Sequence, residues 1–486
     1  MATLAIEEHY ELLEIDPEYK ELKILEAQKC FWDFCLYLDY EFFTERKSVL
    51  KEIAQNMQKL IRPTNPKEEI DILNISLPPR SGKSYACTLF CTWVLGHYPG
   101  ETIMRNTVTN RLYKKFAKDA IKIMKGESHR GRYRDIFPGI EFDTENIEDG
   151  WTLNSAKAGI SYFGNGIGGA IVGFGATILS IVDDSVKGEE EALNEEALDK
   201  KWRWYGSEVD SREEKGCKKL FIGTRWSNKD IVGRLKKEGF FSRKNAKEIK
   251  VPALVNGQSY CEAIHTTKKL LDKKVLISDI IWEAVWQQSP IEAKGTLFKE
   301  EDLKRFKVNE LKQKPEGIVM VGDIADEGDD SLCCPVGFIF GNKIFIYDVI
   351  FTTDEIEVTQ PLVAGFIDKY KPDIAQFESN NGGKGFALKV KELIKNKKTT
   401  VGWKRTVTNK HTRIIMKSGY IKEYFYFRSQ GDIEPGSDYD RYLAELKRYN
   451  KRGKTKHDDA PDATTMLAEI TEKYTRRTNK GFFAAS

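Results

Sequence analysis

A phosphate-binding loop is predicted by the stretch Leu77-Pro-Pro-Arg-Ser-Gly-Lys-Ser84. It follows a strand-like run, residues 71–76, and precedes an apolar helix-like run, residues 85–95. In that context backbone N–H groups face a phosphate, the lysine reaches the β- and γ-phosphate oxygens, and the serine hydroxyl can bind Mg²⁺. The sequence therefore predicts that ATP and Mg²⁺ bind through Arg80, Ser81, Gly82, Lys83 and Ser84.

The loop departs from the usual G-x-x-x-x-G-K-[ST] pattern, because Leu77 replaces the first glycine. Pro78, Pro79 and Arg80 occupy the turn. We expect a stiffer loop than usual, carrying one extra cation that faces phosphate.

Composition indicates a soluble globular chain of more than one domain. The chain has 486 residues, 40% of them hydrophobic and 31% charged. Lys and Arg number 77 against 74 Asp and Glu, a net charge of +3, so any nucleic-acid site must come from local patches. The eight cysteines show no C-x-x-C spacing, and we expect neither an N-terminal signal nor a membrane span. A reducing cytoplasm fits these features.

Strand and helix signals alternate in two regions, which predicts an α/β fold with two sheets. The first sheet should be mainly parallel. The second should begin antiparallel, because Gly341-Asn342 is a hairpin turn between strands 333–340 and 343–350. The predicted domains are 1–240, an ATPase with an N-terminal adenine-side segment; 241–315, a small subdomain and linker; 316–475, the second α/β domain; and 476–486, a flexible basic and apolar tail.

A metal-organising carboxylate is predicted at the end of the strand-like run 176–184, about 100 residues after the loop. Asp183 would hold Mg²⁺ through water, and Asp184 would polarise the attacking water. The alternative is a buried strand that ends in an acidic turn. The glycine-dense run before it, residues 163–175, is interpreted as a mobile loop.

Two further ATP-site features are predicted. The strand-like run 219–226 ends in Thr224 and Arg225, candidates for sensing the γ-phosphate and coupling hydrolysis to movement; the alternative is an ordinary strand end with a surface arginine. Gln28, with Phe31 or Trp32, could bond to and stack on adenine, although core aromatics on a helix are the alternative.

A second acidic constellation lies in the later α/β domain. Asp323 and Glu378 end two predicted strands, and His457-Asp-Asp-Ala-Pro-Asp462 opens the final helix. Hard divalent cations prefer oxygen ligands, and two such ions clamp the attacking and leaving oxygens in phosphodiester hydrolysis. Asp459 and Asp462 share a helical face, and Asp330 is an auxiliary candidate. Any one of these acidic residues alone is more typical of a helix cap or a solvated charge, but the trio together favours a metal site.

Together these motifs resemble the large terminase subunit of tailed double-stranded-DNA bacteriophages over nearly the whole chain. The similar stretches are the loop 78–84, Val182-Asp-Asp-Ser-Val-Lys187, Gly223-Thr-Arg-Trp226, Trp286-Gln-Gln-Ser-Pro290, and the acidic residues Asp323, Glu378 and 457–462.

The resemblance implies a P-loop ATPase followed by an RNase H-like nuclease. Such a subunit drives double-stranded DNA into a procapsid by ATP hydrolysis and cuts concatemeric DNA with a two-metal endonuclease. It also implies Mg²⁺, with Mn²⁺ able to substitute in the nuclease. The implied partners are DNA, a portal protein, a small terminase subunit and a homo-oligomeric ring, by resemblance a pentamer. The implied location is the host cytoplasm, transiently at the portal vertex and not in the mature virion.

Two departures leave residues open. Many members carry a trans-acting arginine finger before the second ATPase motif, but this chain has Gly173-Phe-Gly175 there, so Arg80, Arg105 and Arg111 are the candidates. The final-helix ligand is ambiguous among Asp458, Asp459 and Asp462, and Asp459 is preferred. The predicted catalytic set is Lys83, Asp184, Asp323, Glu378 and Asp459, with Asp462 as a further nuclease ligand.

Two other functions remain as alternatives. A cellular DNA translocase or repair ATPase fused to a nuclease would need strand-separating motifs after Arg225, and none is evident. A decayed scaffold that only docks on capsids would have lost Lys83, Asp183, Asp323 or Glu378, and all four are present.

Overall fold

The computed structural model describes residues 5–482 except 172, 292–294, 325–330, 380–382, 407, 452–454 and 456, with side chains described as far as residue 473. The chain divides into two compact units, residues 1–271 with 280–291, and residues 272–279 with 292–486. The subdomain predicted at 241–315 is thus divided between these units. Within the described residues, every helix is too short or too polar to span a bilayer.

The α-helices of the described chain are, in order, α1 (Ile6–Ile15), α2 (Pro17–Lys29), α3 (Phe31–Leu38), α4 (Tyr40–Glu45), α5 (Lys47–Ile61), α6 (Lys83–His97), α7 (Asn110–Lys125), α8 (Arg132–Ile136), α9 (Glu189–Ala192), α10 (Glu195–Trp204), α11 (Ile231–Lys237), α12 (Thr267–Leu276), α13 (Asp279–Ile281), α14 (Ile356–Tyr370), α15 (Gly383–Leu393), α16 (Lys410–Tyr424), α17 (Asp438–Arg448) and α18 (Asp459–Phe482).

The strands are β1 (Ile72–Ser76), β2 (Ile103–Thr107), β3 (Phe142–Thr144), β4 (Thr152–Leu153), β5 (Tyr162–Phe163), β6 (Leu179–Asp183), β7 (Lys218–Gly223), β8 (Ala246–Lys250), β9 (Leu254–Val255), β10 (Gln258–Ser259), β11 (Lys304–Phe306), β12 (Gly317–Gly322), β13 (Leu332–Phe340), β14 (Lys343–Thr352), β15 (Ile374–Glu378), β16 (Thr400–Lys404) and β17 (Phe425–Arg428).

The first unit is built on a parallel sheet with the strand order β5-β2-β6-β7-β1-β8. Its β1 and β6 are fully buried along their length, as the apolar runs predict. Because parallel strands end on the same sheet edge, the carboxyl ends of β1, β6 and β7 meet there. The predicted mainly parallel α/β fold is confirmed.

At two positions of the run 163–175 the backbone lies so close to neighbouring elements that only glycine fits. A Cβ on Gly164 would lie 1.9 Å from the carbonyl oxygen of Arg105, and one on Gly166 would lie 2.4 Å from the backbone nitrogen of Asn110. A Cβ cannot occupy either position without moving the backbone. This part of the run is therefore packed against β2 and the start of α7, in addition to leading towards β6.

The second unit is built on a mixed sheet with the order β11-β17-β14-β13-β12-β15-β16. Strands β12, β13 and β14 are antiparallel, and the turn between β13 and β14 is Gly341-Asn342. Strands β15 and β16 add parallel to β12. The series β14-β13-β12-β15-β16 is the 3-2-1-4-5 order of an RNase H-like sheet, so the predicted fold class is confirmed.

The last helix, α18, packs against β12, β13 and α16. It begins at Asp459 and continues through Phe482, so it extends past residue 475, where the predicted domain ends and the predicted tail begins.

Candidate functional site

The phosphate-binding loop has the geometry that its sequence predicts. Strand β1 ends at Ser76 and α6 begins at Lys83. Gly82 has a φ of 96° and Arg80 a φ of 68°, so the turn uses left-handed backbone on both sides of Ser81. The hydroxyl of Ser81 donates to the carbonyl oxygen of Pro78 at 2.6 Å and holds the turn closed.

Lys83 points to the edge where the strands end. Its Nζ donates to Oγ1 of Thr224 at 3.0 Å and lies 3.5 Å from Oδ2 of Asp184. Asp184 follows the last residue of β6 and has a φ of 53°. The residues of the loop, of β6 and of the turn after β7 therefore meet around one lysine.

Ser84 and Asp183 form the second contact between the loop and β6. The Ser84 hydroxyl donates to Oδ1 of Asp183 at 3.0 Å. The other carboxylate oxygen, Oδ2, accepts from Nη2 of Arg105 at 2.5 Å. Arg105 is completely buried, and its guanidinium also donates to Oγ1 of Thr88 and to the carbonyl oxygen of Ser84. The orientation of Asp183 is fixed from both sides.

The carboxylate of Asp184 lies beside Lys83 and is held by the backbone after β7. Its Oδ1 accepts from the backbone N–H of Thr224 at 2.7 Å. Desolvation raises the pKa of Asp184, and the nearby Lys83 opposes that rise. The cation therefore favours the ionised carboxylate that the predicted role in polarising water needs.

Thr224 and Arg225, the predicted coupling residues, have different surroundings. Thr224 contacts Lys83 and Asp184, as described, and its hydroxyl also donates to the carbonyl oxygen of Leu77 at 3.1 Å. Arg225 is buried, and its Nε donates to Asp230 at 3.2 Å. Its backbone N–H donates to Oε1 of Gln288, a residue of the stretch 286–290. The surface-arginine alternative for Arg225 is therefore wrong.

A cavity of about 470 Å³ opens beside the loop and the start of α6. Its lining includes Arg80, Gly82, Lys83, Ser84, Thr88 and the aromatic rings of Phe42, Tyr85, Phe116 and His129. The rings of Phe42 and Tyr85 meet edge to face with their centroids 4.8 Å apart. The predicted phosphate-binding residues and flat aromatic surfaces thus line one cavity.

Gln28 and Trp32, the predicted adenine-side residues, do not line this cavity. Nε2 of Gln28 donates to the carbonyl oxygen of Ile136 at 3.0 Å. Trp32 is only 4% exposed and packs edge to face on Phe43 in the core. The prediction fails because the aromatic-rich segment 30–43 fills the interior, and only Phe42 of that segment reaches the cavity.

Of the three candidates for a trans-acting arginine, Arg105 is buried, whereas Arg80 and Arg111 are exposed. Arg105 cannot reach another subunit, because it is buried and bonded to Asp183 of its own chain. Arg80 lines the cavity of its own chain. Arg111, at the exposed start of α7, lies on the surface.

The acidic residues of the second unit converge at the end of β12. One carboxylate oxygen from each of Asp323, Glu378 and Asp462 lies within 4.8 Å of the other two. Asp323 follows β12, Glu378 ends β15, and Asp462 lies in the first turn of α18. This grouping is referred to below as the acid cluster.

Asp459, the preferred third ligand in the sequence analysis, lies beside the acid cluster, with its Oδ1 3.6 Å from Nζ of Lys410. Its Oδ2 accepts from the backbone N–H of Ser331 at 2.9 Å. Oδ1 of Asp458 pairs with Nζ of Lys410 at 2.7 Å. Asp462, three residues further along the same helical face, is the final-helix aspartate that groups with Asp323 and Glu378, so the structure favours Asp462 over Asp459 as the third ligand. The auxiliary candidate Asp330 lies outside the described residues.

Two cations face the acid cluster. Lys410 Nζ lies 3.4 Å from Oδ2 of Asp323 and 3.6 Å from Oδ2 of Asp462. Arg413 Nη1 lies 3.2 Å from Oδ1 of Asp462. Desolvation raises the pKa of Asp323 well above its usual range and that of Asp462 to about 6, while Lys410 opposes both shifts. The carboxylates in turn raise the pKa of Lys410.

The acid cluster offers oxygen ligands for a divalent cation in addition to its ion pairs with Lys410 and Arg413. Asp323 is 9% exposed, and its buried Oδ2, which lies 3.4 Å from Nζ of Lys410, has no hydrogen-bond partner within the described chain. Three buried or half-buried carboxylates in one place repel each other, and a hard cation with oxygen ligands removes that repulsion. Asp323, Glu378 and Asp462 are the residues that would hold it.

No family model matches the sequence. No curated protein matches it either. The solved structures that match include bacteriophage large terminases. The large terminase of a thermophilic bacteriophage matches at 10% identity over 86% of this chain and 98% of its own, with a TM-score of 0.49. The HK97 large terminase matches at 8% identity over 82% of this chain and 91% of its own, with a TM-score of 0.33.

A nuclease-domain structure also matches part of the chain. The nuclease domain of the large terminase subunit gp2 of the bacterial virus Sf6 is similar at 13% identity over 36% of this chain and 98% of its own, with a TM-score of 0.28.

Several functional-site residues have no local sequence signal. Arg105 lies within β2, and its partner Asp183 is 78 residues away in the sequence. Lys410 opens α16, and Phe116 lies in the middle of α7. Each reaches its site only through the packing of distant elements. Phe42 had a weak signal, as one of several aromatic residues in the segment 30–43.

Proposed function

We propose that this chain is a DNA-packaging motor subunit of a tailed double-stranded-DNA bacteriophage, a large terminase. It hydrolyses ATP in its first unit to translocate double-stranded DNA into a procapsid. It cuts concatemeric DNA in its second unit. One observation carries the proposal: a Lys83–Asp184–Thr224 phosphate site and an RNase H-like acid cluster occur on the same chain.

In the first unit, the loop N–H groups and Lys83 bind the β- and γ-phosphates. Ser84 and Asp183 would hold Mg²⁺, which when bound neutralises phosphate charge. Asp184 accepts a hydrogen bond from the attacking water and orients it. Thr224 bonds to Lys83 and Asp184, so the loss of the γ-phosphate changes its partners and starts the coupled movement.

In the second unit, Asp323, Glu378 and Asp462 would hold two divalent cations, Mg²⁺ or Mn²⁺, which when bound stabilise the attacking and leaving oxygens of phosphodiester hydrolysis. Lys410 neutralises the carboxylates before DNA and cations arrive. Arg413 pairs with Asp462 and Glu469, which keeps Asp462 turned towards β12.

The proposal includes partners and a location. The chain would act as a ring of identical subunits on a portal protein, with a small terminase subunit that delivers DNA. It would work in the host cytoplasm at the procapsid. Arg111, exposed at the start of α7, would complete a neighbour's ATP site, since Arg105 is fully buried and Arg80 lines the cavity of its own chain.

The test of the motor uses the purified full chain with duplex DNA. We expect DNA-stimulated ATP hydrolysis, ATP-dependent displacement of a triplex-forming third strand, and no unwinding of a forked duplex. With procapsids that carry the cognate portal, ATP should make the DNA resistant to added nuclease. Unwinding of the fork would favour the cellular helicase or repair ATPase, and the absence of both hydrolysis and cutting would favour the decayed scaffold.

The cavity beside the loop is the proposed adenosine site, and Phe42→Ala tests it. Loss of an aromatic surface for the base should raise KM for ATP, because base–aromatic stacking contributes about 1–3 kcal/mol, roughly 5-fold to 150-fold. Steady-state kinetics with ATP measures this. Trp32→Phe is the control. Because Trp32 lies outside the cavity, the KM of this variant for ATP should equal the wild-type value. A larger effect from Trp32→Phe than from Phe42→Ala would return the adenine site to the segment predicted from sequence.

A further inference from the structure

Positive charge is concentrated in one segment of the second unit. Residues 384–410 contain nine lysines and arginines and one acidic residue, Glu392, in a chain whose net charge is only +3. Local patches of this kind are what bind a polyanion when the bulk charge is close to balanced.

The segment brings cations to the edge of the sheet beside the acid cluster. Strand β16 is the edge strand, and it pairs in parallel with β15 so that Lys404 lies opposite Glu378. Neighbouring strands are about 4.8 Å apart. Lys404 and the exposed Arg405 that follows it are therefore one strand spacing from a residue of the acid cluster.

Trp403 adds an exposed aromatic surface to the cations at this edge. Its side chain is 39% exposed, which is unusual for the largest apolar side chain. Lys384, exposed in the first turn of α15, lies with its Nζ 5.6 Å from the centroid of the Trp403 ring. A cation held over an exposed indole presents a donor and a flat apolar surface together. We call Lys384, Trp403, Lys404 and Arg405 the edge patch.

We infer that the edge patch binds the phosphate backbone of duplex DNA and positions the strand to be cut over the acid cluster. The inference rests on the proposed nuclease function and deepens it. Lys384 and Arg405 pair with phosphates, and the indole of Trp403 packs on a deoxyribose. The acid cluster itself repels a polyanion, so a substrate must be held by cations outside it. Backbone contacts of this type position a duplex and carry no sequence preference.

The test measures binding and cutting separately in the full-length chain. Binding of a short fluorescent duplex is followed by anisotropy in EDTA at several salt concentrations. Lys384→Ala/Arg405→Ala should weaken binding and reduce the slope of log K against log salt by about 2, since each lost phosphate contact removes about 0.9. In Mg²⁺ or Mn²⁺, the same variant should raise KM for DNA cutting about tenfold or more, rather than lower kcat. Trp403→Leu should also raise KM with an unchanged salt slope.

Lys343→Ala is the matched control. Lys343 begins β14 at the Gly341-Asn342 turn, the end of the sheet opposite the acid cluster, and its Nζ lies 5.7 Å from the ring centroid of Tyr426. It is therefore another surface lysine over an aromatic ring, and its removal should change neither the salt slope nor KM.

The outcomes separate this inference from the proposed function. If the wild-type chain cuts DNA and the double variant keeps the wild-type slope and KM, the edge patch does not bind DNA and the inference fails alone. A fall in kcat with unchanged KM would also overturn it, since the residues would then act on the cluster rather than on DNA. If the wild-type chain neither binds nor cuts DNA, the nuclease proposal fails and takes the inference with it.

Discussion

Replacing Lys83 by alanine should reduce ATP turnover by about 100-fold or more, because it removes the cation that faces the phosphates in a site of low dielectric. In the structure that cation contacts Thr224 and Asp184, both part of the same site. DNA cutting by the second unit should be unchanged. Phosphate release from ATP and gel-based cutting, measured on the same preparation, check both expectations.

Asp184→Asn gives a sharper result on the same site. Asparagine keeps an oxygen that can accept from the Thr224 N–H, so the fold and nucleotide binding should be retained while hydrolysis is lost. Asp183→Asn should instead weaken binding of Mg²⁺-ATP, because Asp183 bonds to Ser84 and pairs with Arg105. Lys157→Ala, at a lysine 79% exposed in its side chain, is the surface control. Binding lost in Asp184→Asn but kept in Asp183→Asn would mean that the two aspartates exchange roles.

The fold of both units was predictable where local patterns agree with tertiary packing. The loop 77–84 lies between a buried strand and a helix, as its flanking apolar runs indicate, because Gly-Lys-Ser in that context has one common geometry. The hairpin at Gly341-Asn342 set the antiparallel start of the second sheet for a similar local reason. These features depend on residues that are neighbours in sequence.

The positions of individual site residues depend on packing between elements that are distant in sequence. The predictions for these residues were less accurate. Asp458, Asp459 and Asp462 are alike in sequence, and only the rotation of α18 against β12 decides which one faces Glu378. Trp32 and Phe42 are both aromatic residues of one helical segment, yet one lies in the core and the other lines the cavity. Arg105 is a charged residue in a buried strand, and its role becomes visible only with Asp183 beside it.

The same substitution at two positions of one helix distinguishes the nuclease ligands. Asp462→Asn should reduce DNA cutting by about 100-fold or more, since it removes a carboxylate ligand from the acid cluster. Asp459→Asn should retain most activity, because an asparagine oxygen can still accept from the Ser331 N–H. Asp323→Asn serves as the positive control, with a loss like that of Asp462→Asn. Initial rates of plasmid cutting in Mg²⁺ and in Mn²⁺ measure the effect.

Cation binding provides an independent readout of the same comparison. Calorimetric titration of the full chain with Mn²⁺ should show binding that Asp462→Asn and Asp323→Asn weaken and that Asp459→Asn leaves near the wild-type value. Chelation by EDTA should abolish cutting in every active variant, because the carboxylates alone have no group that stabilises the leaving oxygen. The reverse pattern, with cutting and Mn²⁺ binding lost in Asp459→Asn and kept in Asp462→Asn, would show that α18 is rotated in the active enzyme and would restore the ligand first preferred from the sequence.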